Sequence, residues 1–149
     1  MAVDVTTDIV IERPSAVVAA YAADPSHAPE WYANIRSVEW VTDPEVRVGA
    51  RVRFVARFLG RTLAYTYELV EHVPGERLVM RTEEGPLPME TTYLWETTAD
   101  GSTHMTLRNR GEPSGFSKLA SPFMVPAMRR ANRKDLAALQ RVLESAPGQ

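Results

Sequence analysis

The chain of 149 residues has no cysteine, which excludes disulfide frameworks and zinc–thiolate sites. It has no stretch near the roughly 18 apolar residues that cross a bilayer, so no stable membrane insertion is expected. The opening residues, MAVDVTTD, carry neither a basic segment nor an apolar run of the secretory kind, and a cytoplasmic location is the expectation. A formal charge of −2 supplies no overall field to draw in nucleic acid, so no nucleic-acid partner is expected. The three histidines, His27, His72 and His104, stand far apart in sequence. With no H-E-x-x-H spacing and no carboxylate–histidine cluster, neither a metal nor another cofactor is expected. Phosphate loops and nucleophile elbows are also missing.

What is present is strongly patterned. A β-type run ends at Arg13, and Pro14 then opens a helix, where a missing N–H costs nothing. Asp24-Pro25 closes that helix, because the residue before proline is pushed out of the α region. A second short helical piece carries Pro29-Glu30-Trp31 and ends in the aromatic pair Trp31-Tyr32, and alternation resumes at Ile35. From Asn34 to Gly111 the pattern is β throughout. Val52, Phe54, Ala56 and Phe58 share one parity, as do Leu63, Tyr65, Tyr67 and Leu69, then Met89, Thr91, Tyr93 and Trp95, then Thr103, Met105, Leu107 and Asn109. Leu59-Gly60-Arg61, Pro74-Gly75 and Asp100-Gly101 punctuate these runs as turns.

After Gly111 the period changes. Stepping back from Leu143 gives a helical stripe of Leu139, Leu136, Asn132, Met128, Val125 and Ser121. Pro122 and Pro126 predict a short helix near Ser117, a break at Ser121 to Pro126, and a long helix to about Leu143. No repeat, low-complexity segment or linker divides the chain, so residues 1–149 are read as one domain. Strand, two short helices, many antiparallel strands and a long final helix have a natural packing solution: the sheet curls over the last helix. One helix cannot fill so large a concavity, so a cavity is expected.

The proline-started first helix, the D-P break, the P-E-W element and the Leu-rich closing helix resemble the START-like, or SRPBCC, proteins of polyketide cyclase/dehydrase and lipid-transport type. The resemblance runs from end to end of the chain, although none of these elements is a catalytic motif. It implies an α+β helix-grip fold. A strongly curved antiparallel sheet of about seven strands would wrap the C-terminal helix, with two short helices after the first strand. It also implies a pocket for an apolar molecule. The bases are nearly all arginine and alanine is frequent, which suggests a bacterial source.

Parity assigns Trp40, Phe54, Tyr65, Tyr67, Met80, Tyr93, Trp95 and Met105 to the concave face, with Met128 facing them from the helix. Aromatics and methionine line adaptable sites but also fill ordinary cores. The hydroxyl and indole groups favour a pocket, because each polar tip needs a partner when buried. Asn109 and Asn132 fall on inward positions of the last strand and helix; the plainer account of each is a backbone hydrogen bond. Trp31, Phe116 and Phe123 lie in irregular segments and are placed at the mouth. Arg51, Arg53, Arg57 and Arg61 share the outward parity, as a solvated face should. The inward faces hold almost no carboxylate; Glu71 has the parity but sits beside a turn.

The expectation is therefore a binder of a hydrophobic or aromatic small molecule in a cavity between the curved sheet and the last helix, working as a monomer or homodimer. The alternative is a polyketide cyclase/dehydratase-type enzyme using the same pocket. A third reading is an interaction module with a filled cavity.

Overall fold

The computed structural model describes residues 3–58, 60–84, 89–111 and 117–145, with side chains except at 58, 83, 84 and 117–124. Strand β1 (Val3–Ile11) leads into helix α1 (Ser15–Ala22), a 3-10 turn at Pro25–His27 and helix α2 (Ala28–Trp31). Six strands follow: β2 (Ile35–Trp40), β3 (Arg51–Phe58), β4 (Arg61–Val73), β5 (Arg77–Glu84), β6 (Met89–Thr97) and β7 (Thr103–Gly111). Helix α3 (Ser117–Glu144) closes the fold.

The seven strands form one curved antiparallel sheet in the order β1-β7-β6-β5-β4-β3-β2. Strands β2 to β7 follow one another as a meander, and β1 returns to pair with β7. α3 packs along β1 and meets α2. This is the helix-grip fold that the sequence predicts.

The local punctuation acts as its chemistry requires. Pro14 caps α1 with φ −61° and ψ 147°, a backbone that proline favours. The Asp24 side chain accepts from Ser26 N at 2.9 Å and starts the 3-10 turn. Gly60 and Gly101 turn their hairpins at φ 78° and 86°, where an ordinary side chain is strained.

Two expectations change. α3 is one continuous helix of 28 residues, without the break foreseen at Ser121 to Pro126. Proline carries helical φ itself, so Pro122 and Pro126 cost the helix their missing N–H groups and a clash with the carbonyl four residues back without ending it. Glu71 does not face inward. A register shift between Leu69 and Glu71 turns the strand, and the half-exposed carboxylate meets Arg77 at 3.4 Å.

Among the described residues most buried apolar side chains fall into two clusters. The larger joins α1, α2 and the centre of the sheet to Leu136, Leu139 and Leu143 of α3. The smaller holds Val3, Val5, Met89 and Met128, with Tyr65 and Val125 against it. The space between these two clusters is where the site lies.

Candidate functional site

A half-enclosed cavity of about 160 Å³ lies between the sheet and α3. Phe54 and Ala56 of β3, Tyr65 and Tyr67 of β4, Met80 of β5 and Met89 of β6 form its apolar wall. α3 contributes Met128, Ala131, Asn132 and Asp135, and the segment after α2 contributes Tyr32, Asn34 and Ile35. Period-2 alternation on the strands brings these rings to one face. The helix repeat stacks Met128, Asn132 and Asp135 opposite them.

Two polar groupings interrupt the apolar lining. One is a chain of side chains: Asn132 Nδ2 donates to Asn109 Oδ1 at 2.7 Å, and Asn109 Nδ2 donates to Thr91 Oγ1 at 2.8 Å. The Tyr67 hydroxyl lies 3.3 Å from the same Thr91 oxygen. Among the described residues both asparagines are thus held by side chains, in place of the backbone bonds of the plainer account. The other grouping pairs the Tyr32 and Tyr93 hydroxyls at 2.6 Å. Burial pushes both phenols up from their ordinary value, so both are neutral donors at physiological pH.

Asp135 completes this end of the cavity. Only 3% of it is exposed, and its Oδ1 accepts from Ala33 N at 3.0 Å. Burial pushes its carboxyl up to about 6, against the lowering effects of the Ala33 hydrogen bond and of Lys134. It lies within electrostatic reach of both phenols. Such a group is mostly ionised at neutral pH yet takes up a proton readily, as a general base or acid must.

Of the residues expected from parity, Phe54, Tyr65, Tyr67, Met80, Tyr93, Asn109, Met128 and Asn132 line this cavity. Trp31, Trp40, Trp95 and Met105 do not. Trp31 is buried behind the wall, its ring 4.1 Å from that of Tyr32 and 5.9 Å from that of Tyr93, so Tyr32 takes the place given to it. Trp40 sits at the edge strand, with Nε1 donating to Ser26 Oγ at 3.1 Å. Met105 is wholly enclosed in the core. Trp95 lies at the end of β6 against which α1 packs. For the strand residues the physical reason is shared: parity assigns a face, but α1 and α2 cover one end of that face and leave only the other open to the cavity; Trp31, placed at the mouth from its irregular segment, lies on α2 itself. Phe116 and the Phe123 side chain lie outside the described residues.

The model of the family described as polyketide cyclase / dehydrase and lipid transport matches residues 2–144. The chain belongs to this family. No curated protein sequence matches it. Among solved structures, a Thermus thermophilus protein superposes with a TM-score of 0.81 at 21% identity, covering 96% of this chain and 99% of that one. The Zhui aromatase/cyclase of a Streptomyces species gives 0.80 at 16% identity, covering all of both chains. A START superfamily protein of Mycobacterium smegmatis gives 0.69 at 12%, covering 95% of this chain and 94% of that one. At these identities the likeness is one of fold. The described residues include no helix long and apolar enough to cross a membrane.

As a member of the polyketide cyclase / dehydrase and lipid transport family, the chain has the fold and the kind of cavity that fit ligand binding or cyclisation. Sequence reasoning missed several lining residues, Asn34, Thr91 and Ala131 among them, and the chemically most distinct is Asp135. Four-residue steps back along α3 pass from Leu136 to Asn132 and skip it, whereas a seven-residue step from Met128 lands on it. Tyr32 was legible only as the neighbour of Trp31. On the outer face, His104 also departs from expectation: Asp8 Oδ2 lies 2.7 Å from it and Glu96 Oε1 3.7 Å, carboxylates brought from neighbouring strands. No group of three or more such residues among those described is arranged to hold a metal.

Proposed function

We propose that this protein binds a hydrophobic, ring-bearing small molecule between the sheet and α3, with the ligand's polar end at Tyr32, Tyr93 and Asp135. The observation that carries this reading is the asymmetry of the cavity. Its walls are aromatic and aliphatic, while its polar side chains converge at a few points and are bonded mainly to one another. Apolar walls give affinity, and a few placed donors and acceptors give orientation. A cavity of roughly 150 Å³ admits one benzene ring, so the enclosed part suits one ring of a ligand whose remainder extends towards the open side.

The test is titration with a panel of polycyclic aromatics, fatty acids and sterols, beside native mass spectrometry of protein from its own host. Ala131→Phe, which fills the cavity from α3, is expected to abolish binding of the best panel member. Binding that survives this variant unchanged would sink the assignment.

A second reading, a cyclase/dehydratase-type enzyme in the same pocket, is favoured by one specific observation. Asp135 places a carboxyl with a pKa near 6 beside two neutral phenols. A carboxylate there would take a proton from the carbon between two carbonyl groups of a poly-ketone chain. A phenol would donate to the carbonyl oxygen as charge develops on it. Turnover of a bound poly-ketone that vanishes in Asp135→Asn, with product affinity kept, would establish this reading over simple binding.

A further inference from the structure

Among the described residues that line the cavity under α3, the only carboxyl is that of Asp135, and none is Lys, Arg or His. Lys134, the neighbouring cation in the chain, is exposed. Its pull on the Asp135 carboxyl is weaker than the effects of burial and of the Ala33 hydrogen bond. The charge at this end of the cavity is therefore negative and has no cation beside it in the lining.

The two oxygens of Asp135 differ. Oδ1 accepts from Ala33 N at 3.0 Å. Oδ2 has no partner among the described residues, and it is not one of the polar atoms sealed off from water. Asp135 lines the cavity, so Oδ2 is the oxygen open to it. An ionised carboxylate only accepts hydrogen bonds, so a molecule lodged against it must bring a donor. A second negative charge beside it, in a site poor in water, is strongly disfavoured.

The phenols supply the complement. The Tyr32 and Tyr93 hydroxyls share one hydrogen bond at 2.6 Å. That bond uses one of their two protons and leaves the other hydroxyl able to donate. Asp135 lies within electrostatic reach of both. An acceptor and a donor thus stand at the same end of the cavity, and a single hydroxyl group answers both.

Resting on the reading of this cavity as a binding site, we propose that its ligand is a neutral ring compound with a hydroxyl group, which donates to Asp135 Oδ2 and accepts from the tyrosine pair. The site rejects carboxylates of like shape, fatty acids included. It also discriminates against ethers, which have no proton to give.

The probes are 2-naphthol, naphthalene, 2-methoxynaphthalene and 2-naphthoate, titrated by calorimetry near neutral pH, where the naphthol is neutral and the naphthoate ionised. Naphthol is expected to bind at least about tenfold more tightly than each of the others, the equivalent of one hydrogen bond to a charged group. Ala131→Phe, which fills the cavity, should abolish the binding. Asp135→Asn can keep its Oδ1 on Ala33 N and then turns an N–H to the cavity in place of an oxygen. Naphthoate and the methyl ether should gain at least about tenfold relative to naphthol in that variant. Should Asp135→Asn fail to fold, the parent protein carries a second test. Naphthoate should be excluded, or bound with uptake of about one proton, read from the heats in buffers of different ionisation enthalpy, while naphthol binds with little proton exchange. Equal affinity for naphthol, naphthalene and the methyl ether, all lost in Ala131→Phe, would overturn the proposal and leave the ring pocket standing. So would tight binding of naphthoate without proton uptake, or an order unchanged in Asp135→Asn. Binding of none of the four would overturn the pocket itself, and the hydroxyl preference with it.

Discussion

The two faces of the same sheet solve the problem of polar side chains in opposite ways. On the convex face, charges from neighbouring strands meet across the ladder while remaining partly in water. Arg108 holds Asp4 through two nitrogens at 2.9 and 2.7 Å, Arg81 meets Glu90 at 2.8 Å, and His104 meets Asp8 at 2.7 Å. On the concave face the polar groups are few and mostly uncharged. They bond to one another: Asn132 to Asn109, Asn109 to Thr91, Tyr32 to Tyr93. Water can replace any convex partner at little cost, whereas nothing replaces a concave one when the cavity is closed. A lost partner therefore costs more on the face with fewer charges.

That contrast can be broken at neighbouring residues. The largest effect is expected from Leu107→Ala, at a side chain with 0% exposure. It should lose about 2–5 kcal/mol in urea denaturation. Arg108→Ala, the next residue but on the convex face, should move the midpoint far less. Comparable losses would show that the convex ion pairs are as structural as the core.

A smaller effect is expected from Tyr93→Phe. It leaves the Tyr32 hydroxyl buried without its partner, for a loss of about 1–3 kcal/mol by the same measurement, and it should redirect or weaken ligand binding in calorimetry. Unchanged stability and affinity would mean that water serves this pair as well as the protein does.

Two titrations sharpen the comparison further. The folded pKa of Asp135, about 6, lies above its unfolded value, so in that interval the folded state keeps a proton that the unfolded state has released. Stability should therefore fall as pH rises from the ordinary carboxylate range to about 6, then level off. Asp135→Asn should remove this decline, seen as a flat melting temperature over the interval. A persisting decline would place its origin elsewhere.

His104 gives the mildest effect. The hydrogen bond to Asp8, helped by Glu96, raises its pKa against the opposing effect of burial. Its contribution is complete below the unfolded value of about 6.5 and is lost as pH rises through the folded value. His104→Gln should flatten that upper window, and added salt should weaken it in the parent protein. A salt-insensitive window would contradict a solvated convex pair.

The fold was legible because its signals are local. Pro14, the Asp24-Pro25 break and the glycine turns each constrain their own backbone, and alternation within the runs from Asn34 to Gly111 assigns each strand two faces, except where a register shift intervenes, as at Glu71. The helix break at Pro126 was misread because a missing N–H is also a local signal, while the contacts that keep α3 continuous are not. The site was legible only as a face. Phe54, Tyr65, Tyr67, Tyr93 and Asn109 reach the cavity, but Trp95 and Met105 share their parity and do not. Asp135 escaped notice because a carboxylate between Lys134 and Leu136 looks like the edge of a solvated helix face. Its backbone partner, Ala33, is 102 positions away in sequence.

The sequence by itself determined the order of the elements, the inward and outward sides of the strands away from their register shifts and the apolar stripe of the last helix, because φ, ψ and side-chain period depend on near neighbours. The tertiary structure alone decided which end of the concave face α1 and α2 would cover and which would stay open. It also decided that a carboxyl and two phenols would meet there, because those outcomes depend on how helices and sheet, distant in the chain, come to lie against one another.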